Sequence, residues 1–207
     1  MFITFEGPDG SGKTFQIALL ADTLTSLGYP VLATREPGGT TIGEQVRYIL
    51  HNLENTSMHP YTEILLYQAS RAQLVKEVIL PHLHENGIVL CDRFADSTLA
   101  YQGYGHQIDL ERLRALVDFA TDRLKPDLTL LLDLDVERGL QRRASDGEWN
   151  RLDAYDLEFH RRVRKGYLHM ASLEPQRWVL IDAAQAREQV KTEIEKVVLG
   201  RLKVKPQ

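Results

Sequence analysis

The chain has 207 residues, with 25 basic and 29 acidic side chains for a net charge of −4, and 43% of its residues are hydrophobic. That is the size of one domain, or of one domain with a small insertion, and the balance of an ordinary soluble globular protein. It disfavours a repeat array, global disorder and a basic coat for a nucleic-acid polymer.

The lone cysteine, Cys91, rules out an internal disulfide and a zinc site built on cysteine pairs, and suits a reducing, cytoplasmic setting. No apolar stretch approaches the roughly 18 residues of a bilayer span, so no membrane partner is expected. The first positive side chain is Lys13, so the basic lead-in of a signal peptide is missing.

In chain order, the first β-branched and aliphatic run covers residues 2–5 and leads into Gly7, Pro8, Asp9, Gly10, Ser11, Gly12, Lys13 and Thr14. This matches GxxxxGK[ST] in the strand-to-helix setting the motif requires. Its glycines let backbone N–H groups turn inward around phosphate oxygens, and the helix start behind them adds about half a positive charge. Lys13 is then a point charge for the β and γ phosphates, and the Thr14 hydroxyl a ligand for Mg²⁺. Asp9 is anomalous here, because a carboxylate inside a phosphate cradle repels its own ligand.

A nucleoside-triphosphate loop alone leaves switches, machines and small-molecule kinases open. A guanine switch is disfavoured: outside the loop no aspartate sits three residues before a glycine, and no Asn-Lys pair occurs.

The helix after the loop places Ile17, Leu20, Leu24 and Leu27 on one face and stops at Gly28. A second strand covers residues 31–34. Past it, Pro37 removes a donor while Gly38 and Gly39 permit unusual dihedrals, letting the backbone press close to a ligand. A helix over about 62–80 carries Ile64, Leu74, Val75, Val78 and Ile79 inside and ends before Pro81. Tyr67 and Arg71 share that apolar side, so Arg71 must find an acceptor. Either a planar ring stacked on Tyr67, with a carbonyl facing Arg71, or a carboxylate would serve.

A third strand, 88–91, delivers Asp92 to its end, where a carboxylate reaches a metal or caps a helix. Arg93 follows at the mouth of the sheet. Ser97, Thr98, Tyr101 and Gln102 return to one side of a helical turn. Strands at 128–132 and 178–181 complete an α/β doubly wound parallel sheet, its strands near-continuously apolar as if covered on both faces. Between them the polar stretch QRRASDGEWNR (141–151) reads as a mobile flap. A final helix carries Val190, Ile194, Val197 and Val198, followed by a solvated tail with Arg201, Lys203 and Lys205.

Four elements beyond the phosphate loop, TREPGGT (34–40), YQASRAQ (67–73), DRFADSTLAYQGYG (92–105) and IDA (181–183), occur in one order across nearly the whole chain. Together they resemble the thymidylate kinases, bacterial type, among the P-loop nucleoside monophosphate kinases. The resemblance implies a single P-loop domain, a three-layer fold on a five-stranded parallel sheet, with a lid at about 138–153. It also implies transfer of the ATP γ-phosphate to dTMP with Mg²⁺, and a homodimer.

By the same resemblance Arg93 clamps the dTMP phosphate, and Asp9 bonds toward the 3′-hydroxyl. Ser97, Thr98, Tyr101 and Gln102 line the nucleoside pocket with Tyr67 and Arg71. Glu36 and Pro37 join through a cis bond near the substrate. Gly39 stands where some relatives carry an arginine for the acceptor phosphate, so Arg47 takes that role, with Arg35 a weaker substitute. Arg142 matches the residue that covers adenine, Arg143 and Arg151 are candidates for the phosphates, Asp153 would orient Arg151, and the loop at Asp182 and Ala183 touches adenine. Arg161, Arg162 and Arg164 are read as solvated helix faces. Two rivals stay open: a kinase for another nucleotide or deoxynucleoside, and an ATP-binding module that transfers nothing.

Overall fold

The computed structural model describes residues 1–146 and 151–204. Its strands, β1 (Phe2–Glu6), β2 (Val31–Arg35), β3 (Ile88–Asp92), β4 (Leu128–Asp133) and β5 (Trp178–Asp182), form one parallel sheet in the order β2-β3-β1-β4-β5. All five expected runs are strands, each extended by one residue at its carboxyl end.

Side-chain alternation divides the core. Ile3, Phe5, Ile88, Leu90, Leu128, Leu130 and Leu132 point to one face. There they meet Ile17, Leu20 and Leu24 of α1 (Lys13–Ser26) and Val190, Ile194 and Val198 of α9 (Arg187–Val204). The opposite face is shared. Phe2, Val89 and Cys91 pack with Leu74, Val75 and Ile79, whereas Leu131 packs under α8 (Leu157–Leu173). Both faces of the inner strands are therefore covered, which is why they read as unbroken apolar runs. The edge strand β2 departs from that expectation: its five residues are half-buried or exposed.

Three further helical readings change. Leu27 lies past the end of α1 and is 56% exposed, while Gly28 takes the left-handed conformation, φ 87°, expected of a stop. The helix expected to end before Pro81 instead runs on. It passes from α3 (Pro60–Leu74) through a π-turn (Val75–Ile79) into α4 (Leu80–His84), with Leu80 N–H donating to Val75 O. The extra residue in that turn alters the ladder just where proline, lacking a donor and clashing with an ordinary helical carbonyl, would break it. At the other end, Arg201 and Lys203 lie within α9, Arg201 donating to Gln176 O, rather than in a loose tail; Lys205 falls outside the described residues.

The flap reading also changes. Residues 141–146 continue α7 (Val136–Asp146), residues 147–150 fall outside the described residues, and Arg151 begins the turn leading to α8. Among the described residues no helix is long and apolar enough to cross a membrane.

Candidate active site

The carboxyl ends of β1, β3, β4 and β5 face one cleft, the usual ligand position in an open parallel sheet. A cavity of about 710 Å³ lies there, lined by the phosphate loop, Glu36 and Pro37, Tyr67, the segment after β3 and the inner side of α7. Lys13, Arg47, Arg93, Arg142 and Arg143 are among the cations that line this one space.

The loop's shape is fixed by backbone contact. Gly10 has φ 74°, and a Cβ there would stand 2.2 Å from the carbonyl oxygen of Gly139 in α7, so only glycine allows this approach. Lys13 is buried and donates to Gly7 O at 3.1 Å, Pro8 O at 2.9 Å and Ser11 Oγ at 3.3 Å. Burial and the neighbouring Arg93 charge push its pKa down to about 8.

Asp9 finds its counter-charge. Arg93 Nη2 donates to Asp9 Oδ1 at 2.7 Å, and the Tyr101 hydroxyl donates to Oδ2 at 2.7 Å. Burial favours the neutral acid, but Arg93, Lys13 and the Tyr101 bond outweigh it and hold Asp9 well below the carboxylate range. The anomaly in the sequence is thus an ion pair at the floor of the cleft.

Arg93 itself has φ 68°, a left-handed conformation uncommon for a side-chain-bearing residue, and its guanidinium lies 5.0 Å from the Tyr101 ring centroid. Across the cleft, Thr14 Oγ1 donates to Asp92 Oδ2 at 2.5 Å. These two oxygen donors beside the phosphate loop fit Mg²⁺, a hard cation that takes one or two protein oxygens and completes its shell with phosphates and water.

The acceptor side is equally built. Glu36 and Pro37 are joined by a cis peptide, as expected. Arg47 Nη1 donates to Pro37 O at 2.9 Å and lines the cavity. Arg35 also lines the cavity, with its Nη2 held by Glu44 at 2.9 Å from both oxygens. Tyr67, Ser97, Thr98, Tyr101 and Gln102 all line the cavity.

Arg71 does so too, but it does not wait for a ligand to supply its acceptor. It donates to Glu36 Oε2, Gln68 Oε1, Thr98 Oγ1 and Phe94 O at 2.8 to 3.0 Å. The carboxylate alternative therefore accounts for its burial, and the donor set of the guanidinium is occupied within the protein. Glu36 Oε1, by contrast, is buried without a hydrogen-bond partner among the described residues, an acceptor on the cavity wall.

The lid arginines separate. Arg142 Nη1 donates to Gly10 O at 3.2 Å and Ala183 O at 3.4 Å, spanning the phosphate loop and the loop after β5 where an adenine would lie. Arg143 lines the cavity, and Asp153 holds its Nη2 at 3.3 Å. Asp153 therefore pairs with Arg143 rather than Arg151.

Arg151 points elsewhere: its Nε donates to Leu50 O at 3.0 Å, and its Nη2 donates to Glu63 Oε2 at 2.5 Å. It lies outside the cavity lining, so the expectation that it meets phosphates is corrected to a structural ion pair. Asp182 likewise caps its own loop, accepting from Ala184 N–H at 2.9 Å, while Ala183 lines the cavity. Arg161 is surface-paired, but Arg162 donates to Gly105 O and Arg164 grips Asp133, so these two are ties between elements rather than solvated faces.

Several residues at the site were not legible beforehand. Glu6 is fully buried at the end of β1; an acidic residue closing an apolar run was the available signal. Tyr167 on α8 reaches the same point and carries no spacing signal. His51 lines the cavity, and burial with the nearby Arg47 pushes its pKa down to about 4, so it is neutral at pH 7.

The family model described as thymidylate kinase matches residues 5–194. The chain belongs to the thymidylate kinase family. It is 49% identical to a thymidylate kinase of Roseiflexus castenholzii over 220 aligned residues, covering all of this chain and 96% of that one. It is 50% identical to one from Geotalea uraniireducens, covering 97% of both. A crystal structure of the thymidylate kinase from Ehrlichia chaffeensis superposes with a TM-score of 0.79 at 39% identity, covering 96% of this chain and 98% of the other. Thymidylate kinase membership accounts for both halves of the cleft, the phosphate loop and the acceptor wall.

Proposed function

We propose that this chain transfers the γ-phosphate of ATP to dTMP, giving dTDP and ADP, as one P-loop kinase domain with its lid at about 138–153. The observation that carries the reading is a phosphate loop and a complete acceptor wall facing one cavity. A module that only bound ATP would have no use for the second half.

The acceptor oxygen belongs to a phosphate whose second pKa is about 6, so it is largely ionised at neutral pH and needs no general base. What opposes the reaction is repulsion between two polyanions, which positioned cations relieve. Lys13 serves the donor phosphates, Arg93 and Arg47 the acceptor phosphate, and Arg143 the space between. Arg142 covers adenine above the Ala183 loop. Thr14 and Asp92 would hold Mg²⁺ together with the nucleotide, and the ion would supply further neutralising charge.

On the acceptor side, Tyr67 offers a stacking face and Thr98 and Gln102 offer hydrogen bonds to the base. Arg71 shapes the pocket by fixing Glu36, Gln68 and Thr98. Asp9 bonds the 3′-hydroxyl, with Tyr101 beside the sugar. Glu36 Oε1, unpartnered on the wall, accepts from the substrate. A coupled ADP-release assay across dTMP, dUMP, dGMP, AMP and thymidine tests this. We expect dTMP to give the highest kcat/KM, and preference for another acceptor overturns the assignment.

The working unit is a homodimer in the cytoplasm. Support comes from apolar side chains left bare on three adjoining helices: Tyr48 on α2 (Thr41–His51), Leu65 on α3 and Phe119 on α6 (Leu110–Thr121) are 73, 57 and 88% exposed. Such a patch on a small enzyme calls for a partner, and a second copy of the same face is the simplest. Light scattering after size exclusion tests it, a concentration-independent monomer being the contrary result.

A further inference from the structure

Beneath Arg93 lies a polar cluster that the phosphate chemistry does not use directly. Glu6, at the end of the central strand, is fully buried. Its Oε1 accepts from the Phe94 backbone N–H at 2.8 Å, and its Oε2 accepts from Ser97 Oγ at 2.6 Å and Tyr167 Oη at 2.9 Å. Those same two hydroxyls accept from Arg93 Nη1, at 3.3 and 3.1 Å, and lie 2.8 Å from each other. The other terminal nitrogen, Nη2, is held by Asp9 and Tyr101 on the cleft side.

We propose that Glu6 is a positioning residue for the reaction, holding Arg93 at the reacting phosphates through the hydroxyls of Ser97 and Tyr167. The proposal rests on Arg93 being the phosphate clamp.

Three elements meet at this point: β1 brings Glu6, the segment after β3 brings Arg93 and Ser97, and α8 brings Tyr167. A guanidinium on a flexible stem loses freedom when it is fixed, and here that cost is met before substrate arrives. The division of labour follows from which nitrogen can be spared. Asp9 and Tyr101 face the cleft and compete with the incoming phosphate for Nη2, whereas the relay to Glu6 sits behind and stays in place. Nη1 is thus the pivot, and the plane of the guanidinium is set from β1 rather than from the substrate. Misplacement of a charged group by about 1 Å is enough to cost up to about 100-fold in rate.

A double-mutant cycle tests this, because a residue that acts only through Arg93 has nothing to act on once Arg93 is gone. Tyr167→Phe removes one relay hydroxyl while keeping the ring. It is expected to lower kcat for dTMP about tenfold in the native chain and less than about twofold in the Arg93→Ala background. Glu6→Leu is expected to follow the same pattern, and where that variant fails to fold, Tyr167→Phe decides alone. Equal losses in both backgrounds, or a harmless Tyr167→Phe beside a crippled Arg93→Ala, overturn the relay. A harmless Arg93→Ala removes the clamp reading and the relay together.

Discussion

Arg93 and Asp9 meet at 2.7 Å across the floor of the cleft, one from the segment after β3 and the other from the phosphate loop. The pair joins the two halves of the site before any nucleotide binds, and it gives a carboxylate a place inside a phosphate cradle. On the proposed assignment, arriving phosphates would compete with Asp9 for the guanidinium, and the pair would hold Arg93 aimed before they come.

Arg93→Ala is expected to lower kcat by about 100-fold or more, the usual cost of losing a cation or donor aimed at transition-state charge. Tyr67→Leu removes a stacking surface and is expected to raise KM for dTMP with a smaller change in kcat. Steady-state kinetics on both variants checks the division, and equal effects on both parameters in the two variants contradict it.

Lys13 gives a pH prediction. Its pKa in the free chain is about 8, lowered by burial and Arg93, so it is charged at neutral pH and loses its proton on the alkaline side. KM for ATP is expected to stay level up to about pH 7.5 and to rise above about pH 8 as the charge disappears. An ATP titration from pH 6.5 to 9.5 reads this directly, and a flat profile contradicts it.

Arg143 and Arg151 should part company. Arg143→Ala is expected to lower kcat, because its side chain lines the cavity, at some cost in Tm, because the buried Asp153 loses an ion-pair partner. Arg151→Ala strands Glu63 without its charged partner in a buried site, and is expected to cost about 3–5 kcal/mol of stability. Thermal melts and kinetics run in parallel separate the two.

Glu6 should make stability depend on pH. Its Oε2, Ser97 Oγ and Tyr167 Oη form a triangle with sides of 2.6, 2.8 and 2.9 Å, and two hydroxyl hydrogens serve only two sides. Both go to Glu6 Oε2 and favour the carboxylate, but burial with the nearby Asp96 outweighs them and pushes its pKa up to about 7. The folded value lies above the unfolded one, so this stabilising contribution is full below about pH 4.5 and is lost as pH rises through about 7. Glu6→Gln is therefore expected to lose less Tm than the native chain between pH 5 and 8.

The fold was readable because its signals are local: apolar runs of strand length, helical spacing between them, and a loop whose glycines admit one use. What escaped depends on partners far along the chain. Arg71 presented a need for an acceptor, but Glu36, 35 residues away, was one carboxylate among many. Arg143 and Arg151 were equivalent until α7 put one on the cavity and the turn before α8 sent the other to Glu63, 88 residues away. Pro81 gave a true signal of interruption, answered by a π-turn instead of a stop. At Glu6 the charge was visible, but the hydroxyls that receive it come from α5 (Ala95–Thr98) and α8.

The strand order has a consequence for how the molecule is made. β1 leaves the ribosome first, yet its neighbours are β3 and β4: Phe2 pairs with Val89 and Ile3 with Leu128. At roughly 5–20 residues per second, about 6–25 s pass between the synthesis of β1 and that of its second neighbour. Throughout that interval an apolar strand with at least one open edge must be kept from pairing with another chain, and the phosphate loop that follows it lacks its full sheet. Nucleotide binding is therefore a late event in the life of the nascent chain, and substitutions that weaken the β1 to β4 seam should show first as lost yield during synthesis.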